Sequence, residues 1–333
     1  MAATLTGEPG RGGAVAPGDG SHGKGGKRSA RQRRFGPSRR DVGDRASRPG
    51  FLWAVPGALF FTVFAVVPLG LVAVLSFYSW GGLGSPQWAG TANWTKLLHD
   101  PVMLRSLWLS VLLTLLGVVV QTPLSLLLGV WAAGPQRNRA VLSAIYFVPL
   151  LLSATAISVL WRALLDPNFG IPSQLTWLFG NGNLFGHQNT AIGVLVWVAA
   201  WQYTPFHTLI YQGAARAVPE VLYQAAEIDG AGRVRKFFHI TIPQLRNAMV
   251  TSVILMVVGG LTTFDTVLIL TQGGPGTDTT ITAYYMYQQA FKSFDFGTGA
   301  AIALLLVVVS TIISLIVVRA SGYDKMRSVN EGL

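Results

Sequence analysis

The chain contains no cysteine. This excludes a disulfide framework, a thiolate metal site and a cysteine nucleophile, and it removes any clue to redox compartment. Charge is also scarce: 12% of the 333 residues are Asp, Glu, Lys or Arg, against 51% hydrophobic and a mean hydropathy of +0.46. Soluble domains carry about twice that share of charge, so the composition is that of a membrane protein. Acidic residues are the scarcest charged class, 14 against 25 Lys and Arg, for a net charge of +11. That surplus would suggest nucleic acid if it covered a fold, but 11 of the 25 cations lie in residues 1–50. The segment is rich in Gly, Ser and Pro and has no apolar periodicity. It reads as a disordered basic cytoplasmic tail, whose charge sets membrane orientation.

Two motifs in this tail are incomplete. "GDGSHGKG" (Gly18 to Gly25) approaches a phosphate-binding loop, but Gly25 stands where the Mg²⁺-binding hydroxyl belongs and no strand precedes it. The chain is therefore expected to bind no ATP and no other cofactor or metal. "RRFGPSRR" precedes an apolar run far longer than an export signal's core of about 7–15 residues. That run reads as a permanent span.

Six segments are apolar enough to cross about 30 Å of hydrocarbon as helices: residues 52–80, 106–133, 140–164, 190–214, 247–271 and 298–319. With the N-terminus inside, 21 of the 25 Lys and Arg fall on the cytoplasmic side, including Arg137 and Arg139. Lys and Arg are retained there, so both termini are expected to be cytoplasmic. The outer connections, "WGGLGSPQWAGTANW" and "DPNFGIPSQLTWLFGNGN", are turn-rich and aromatic, which suits the membrane interface. The organisation expected is an all-α integral membrane protein with a tail (1–50), a six-helix domain (51–322) and a cytoplasmic C-terminal tail (323–333).

The fourth connection, residues 215–246, is unlike a simple link between spans. Pro219 and Glu220 suit a helix start, and Gly230 suits its end. Leu222, Ala225, Ala226 and Asp229 fall on one small, mostly apolar face. Arg233, Arg235 and Lys236 follow. Physics alone leaves two readings open, a helix lying on lipid headgroups or one docking in a partner's groove.

The stretch "QAAEIDGAGRVRKFFHITIP" (Gln224 to Pro243) resembles the EAA loop of binding-protein-dependent ABC importer permeases. Ala225 and Ala226 match, Gly230 follows after three residues, and Ile240 arrives nine later, leading to Ile242 and Pro243. Gln224 replaces the usual Glu, and Ile242 replaces Leu. The resemblance covers about 51–322 and sharpens to the carbohydrate-uptake, maltose-type branch through "LILTQGGPGTDTTITAYYMYQQAFKSFDFGTGAAIALLL" (Leu268 to Leu306) and "NFGIPSQL". It implies the type I importer permease fold and a role as one half of the membrane path. Its implied partners are a second permease, ATP-binding subunits that hydrolyse the ATP, an extracytoplasmic solute-binding protein and a sugar. The coupling residues it implies are Gln224, Ala225, Ala226, Asp229, Gly230, Ile240 and Pro243. The sugar-contacting positions carry over to Leu150, Ala154, Gln202, Tyr203, Phe206, Gly259, Gly260 and Thr263.

A neutral sugar is met by hydroxyls, amides and rings, because fixed charge in a bilayer is costly. Trp197, Gln202, Tyr203 and Phe206 fit that chemistry, although each also suits helix packing. Asp265 is the only carboxylate within an expected span. Together with His207 it leaves one alternative open, a proton-driven secondary transporter.

Overall fold

The structure is a computed structural model that describes residues 53–134, 141, 144–175, 177 and 182–321. The basic tail, Arg137, Arg139 and the 323–333 tail lie outside the described residues. The chain divides at Val55/Pro56, and only Trp53, Ala54 and Val55 of the first unit are described. The architecture below is that of the second.

The first helix, α1 (Val55–Leu75), contains one π-turn, Thr62–Val66, shortly before Pro68. A proline has no N–H to give the helix, and a widened turn is one way a helix absorbs that loss. The side chains of α1 are exposed along most of its length, as suits contact with lipid or another chain. A two-residue hairpin follows, with Tyr78 opposite Trp88 and Ser79 opposite Gln87. The first expected span therefore stops short of residue 80. Asn93, in α2 (Ala92–His99), donates to the Ser76 and Tyr78 carbonyls at 2.9 Å and holds the hairpin against its own helix.

Asp100 starts α3 (Pro101–Ala132) by accepting from the Val102 and Met103 amides at 2.9 and 3.4 Å. Pro101 occupies the first turn, where its missing N–H costs nothing. The long partner of α3 is α6 (Gln188–Arg216). The two cross closely at Gly129, where a Cβ would lie 2.6 Å from Tyr211 Cβ and 2.9 Å from the Thr208 carbonyl oxygen. Only glycine allows that approach, the use small residues have between membrane helices.

Two expected spans are interrupted. Within 140–164 lie α4 (Val148–Leu151) and α5 (Ala154–Leu164), separated by an extended Leu152. Ser153 caps α5 by accepting from the Ala156 amide at 3.1 Å. Within 247–271, α9 (Arg246–Leu261) ends before α10 (Asp265–Leu270) begins. Thr262 and Thr263 turn their hydroxyls back on the Val258 and Gly259 carbonyls, at 2.8 and 3.0 Å. Such local bonds compete with the helix ladder, and the neighbouring glycine pair supplies little helix propensity to oppose them.

Three described helices are long and apolar enough to cross a membrane alone: Val55–Leu75, Pro101–Ala132 and Phe296–Ala320. A fourth arises if α8 (Arg233–Gln244) and α9 are taken as one span bent by 68°. The 29-residue α6 is long enough, but Gln202, Thr204, His207 and Thr208 dilute its apolar character. The chain closes with α11 (Thr282–Tyr287) and α12 (Phe296–Ser321). At Gly297, near the start of α12, a Cβ would collide with the Tyr78 carbonyl oxygen, so the last helix begins hard against the hairpin.

The largest apolar core joins α5, α6, α10 and α11 through Ile157, Val198, Val267, Ile281 and Tyr284. A second cluster lies at the hairpin end, around Leu97, Met103, Tyr285 and Ile302. A third lies toward the 220–244 loop, around Leu126, Tyr211 and Leu245.

Candidate translocation cavity and cytoplasmic loop

The interruptions in the third and fifth segments border a cavity of about 580 Å³. Leu150 and Ala154 reach it from α4 and α5. From α6 come Val196, Ala199, Tyr203 and Phe206, spaced at three or four residues, with His207 beside them. The α9–α10 break supplies Gly259, Gly260, Thr262, Thr263, Phe264 and Asp265. The structure thus brings together seven of the eight positions carried over from the resemblance. Gln202 is the exception. It is buried behind the wall, one residue off the row that includes Tyr203, and its Oε1 has no partner. Trp197 also lies off the cavity, edge-on to Trp161 with ring centroids 6.4 Å apart.

The wall that the sequence reading missed is α3, through Ser110, Thr114, Gly117 and Gln121. A signal for it was present. Ser106, Ser110, Thr114, Gly117, Gln121, Ser125 and Gly129 recur every three or four residues along an otherwise apolar helix, and all are buried.

Few of the wall's polar groups are free. Ser110 and Thr114 donate to the Ser106 and Ser110 carbonyls at 2.8 and 2.7 Å, and Ser110 also meets Thr282. His207 Nδ1 lies 2.9 Å from Ser252 Oγ, so its partner is a hydroxyl and not Asp265. Among the described residues, the Gln121 amide, the Tyr203 hydroxyl and the Asp265 carboxylate make no side-chain hydrogen bond and remain available to a solute. An amide, a phenol and a carboxylate between aromatic rings can hydrogen-bond hydroxyls and stack on apolar sugar faces. Among the described residues no cluster of three or more His, Cys, Asp or Glu is arranged for a metal.

The 215–246 loop folds as a helical hairpin. Pro219 is the N-cap of α7 (Glu220–Ile228), one position earlier than the sequence suggests. Asp229 is its C-cap, so it lies at the helix end and not within the helix. Gly230 follows with φ +71°, and the Ala231 amide bonds the Ala226 carbonyl at 2.8 Å. This is a glycine-terminated helix in which the left-handed residue lets the chain reverse. Lys236 Nζ meets Glu227 Oε1 at 2.7 Å, and the Tyr223 and Thr241 hydroxyls lie 3.0 Å apart. The Lys236 hydrogen bond and charge hold the Glu227 carboxyl below its ordinary pKa. Gln224 and Ala225 are exposed, Ala226 and Ile240 are half-buried, and Pro243 is exposed. Val221, Ile228, Val234 and Phe238 are exposed as well, Ile228 to 88%. Apolar side chains on a charged loop make a surface suited to covering by another protein.

Membrane-spanning helices around a central cavity, with a helical hairpin projecting from one end, define a polytopic transport subunit. The chain belongs to the family described as binding-protein-dependent transport system inner membrane component, whose match covers residues 125–321. It is accordingly a multi-pass membrane protein. It is 30% identical over 273 residues to the probable ABC transporter permease protein YurN of Bacillus subtilis, covering 80% of this chain and 93% of the relative. It is 29% identical to the arabinooligosaccharides transport system permease protein AraP of the same organism, over 83% of this chain and 89% of the relative. With the sulfoquinovosyl glycerol transport system permease protein SmoG of Agrobacterium fabrum it shares 28% identity, over 84% and 91%. These relatives are permease subunits and not enzymes. A crystal structure of a bacterial alginate ABC transporter in complex with a pentasaccharide-bound periplasmic protein shares the fold. There the TM-score is 0.72 at 18% identity, covering 81% of this chain and 93% of that one.

Proposed function

We propose that this chain is one half of the membrane path of an ATP-driven saccharide importer and is moved by an ATP-binding subunit through the Glu220–Gln244 hairpin. The carrying observation is the conjunction of two features in one chain. A cavity walled by Tyr203, Phe206, Gln121 and Asp265 lies within the helices, and an exposed apolar hairpin with a left-handed Gly230 turn lies at their end. Relatives whose names specify arabinooligosaccharides and sulfoquinovosyl glycerol support a saccharide cargo.

In this reading the chain spans the membrane six times, with both termini and the hairpin in the cytoplasm. The broken α4–α5 and α9–α10 segments each count as one crossing, and irregular backbone at membrane depth is tolerated where it lines a cavity. The partners are a second permease, ATP-binding subunits and an extracytoplasmic solute-binding protein. The chain holds no cofactor, and ATP is bound and hydrolysed by its partner. Nucleotide-driven closure of the ATP-binding subunits carries α7, and the cavity alternates between the two sides.

Gly230→Val tests the coupling. A β-branched residue at φ +71° is strained by roughly 1–2 kcal/mol, and α7 must tilt or fray to relieve it. Membrane insertion is expected to persist while uptake and transport-linked ATP hydrolysis are lost. Normal uptake by the assembled variant would remove the hairpin from the coupling role.

A further inference from the structure

Among the described residues, Asp265 is the one formally charged side chain on the cavity wall. No Lys or Arg among them faces the space, although the chain carries a net charge of +11. Asp265 stands in the first turn of the six-residue α10, where the helix dipole favours a carboxylate by only about 0.3–1 kcal/mol. It makes no ion pair or hydrogen bond among the described residues, and α10 is preceded by Phe264, whose side chain makes no cap bond. Asp265 and Tyr203 line the same cavity. Tyr203, Phe206 and Phe264 share the wall, and the faces of aromatic rings carry negative potential, which also disfavours an anion. An unpaired carboxylate at membrane depth costs more than a short helix's dipole returns, which points to a role toward the solute.

We infer that Asp265 is a charge filter in the path, admitting saccharides that present hydroxyl or ammonium hydrogens and repelling uronates, sulfonates and other anions. This sets the chain's cargo apart from the sulfonate named for its Agrobacterium fabrum relative. The inference rests on the saccharide-importer reading above and narrows its substrate class. In a cavity walled by low-dielectric protein, a single fixed charge biases cation over anion by about tenfold or more.

The absence of cysteine makes the field directly measurable. Thr263→Cys places a single thiol in this chain two residues from Asp265, and Gly259→Cys places one in open space on the same wall. In the assembled importer in vesicles, with the unsubstituted complex as background, each thiol is reacted with cationic and anionic methanethiosulfonates of equal size. The expected result is a cation preference about tenfold above that of a free thiol, falling to within about twofold when Asp265→Asn is added. A preference absent from the start, or surviving Asp265→Asn, overturns the filter. So does failure of both thiols to react, because the wall would then be closed to solutes. Saccharide uptake is scored in the same vesicles. If the unsubstituted complex, in matched vesicles, moves no saccharide while the thiol variants keep an Asp265-dependent preference, the importer reading fails and the filter stands.

Discussion

Gly259 and Gly260 are adjacent in α9, yet the structure assigns them opposite tolerances. A Cβ on Gly259 meets nothing within 4 Å, whereas one on Gly260 lies 2.7 Å from Thr114 Oγ1, 3.0 Å from its Cγ2 and 3.1 Å from its Cβ. Replacing either with alanine gains about 1 kcal/mol of helix propensity. Because that gain is common to both, the difference between the variants isolates the contact with α3. Overpacking of this kind costs about 1–3 kcal/mol, which leaves Gly259→Ala stabilised and Gly260→Ala neutral to destabilised by up to about 2 kcal/mol. At about 2–4 °C per kcal/mol the two should melt several degrees apart. Thermal unfolding of the detergent-solubilised complex, followed by size-exclusion fluorescence, reads this directly. Thr114→Ala removes the two nearest atoms and should restore most of the loss in Gly260→Ala. Equal melting of the two alanine variants, or no rescue by Thr114→Ala, would refute the packing argument. Gly259→Phe extends the same logic to function: it fills part of the cavity, so uptake should fall while assembly and melting are preserved.

Asn93→Ala should destabilise the hairpin end by about 1–3 kcal/mol, because it strips the Ser76 and Tyr78 carbonyls of their shared donor; proteolysis within residues 78–92 would report it, and unchanged protection would count against the tie. Gly129→Val should separate α3 from α6 and prevent recovery of a monodisperse complex, whereas the exposed Gly193→Val, with nothing within 4 Å of its Cβ, should not. The Glu227 carboxyl is held low by Lys236, so its contribution to the hairpin is present above the unfolded pKa and is lost as pH falls through the lower folded value. Protection of the amides in residues 220–236, expressed relative to their intrinsic exchange rate at each pH, should therefore fall on acidification below the ordinary carboxylate range, and Glu227→Gln should flatten that fall.

Much of this molecule could be read from residue order because membrane physics writes in long words. Apolar runs of about 20 residues located α1, α3 and α12, and the Gly230 turn with its alanine pair located the hairpin. The breaks at Leu152–Ser153 and Thr262–Phe264 were not legible in apolarity, which averages over the few residues that interrupt a helix. They depend on side-chain hydroxyls choosing backbone partners. Leu150, Ala154, Tyr203, Phe206, Gly260 and Thr263 line one cavity, whereas Gln202 illustrates the limit of a one-residue register. A step of about 100° around α6 separates a wall position from a buried one. The polar row of α3 was legible as a period but was hidden inside the strongest apolar signal in the chain.

The hairpin at residues 78–88 is closed by segments made about two hundred residues later. Phe296 donates its amide to the Trp80 carbonyl at 3.0 Å, Lys96 pairs with Asp295 at 2.8 Å, and Gly297 sits against Tyr78. These contacts can form only after residues 295–297 have been made. The hairpin's packing is thus a property of the finished chain, since its contacts reach from residues 78–80 to residues 296–297.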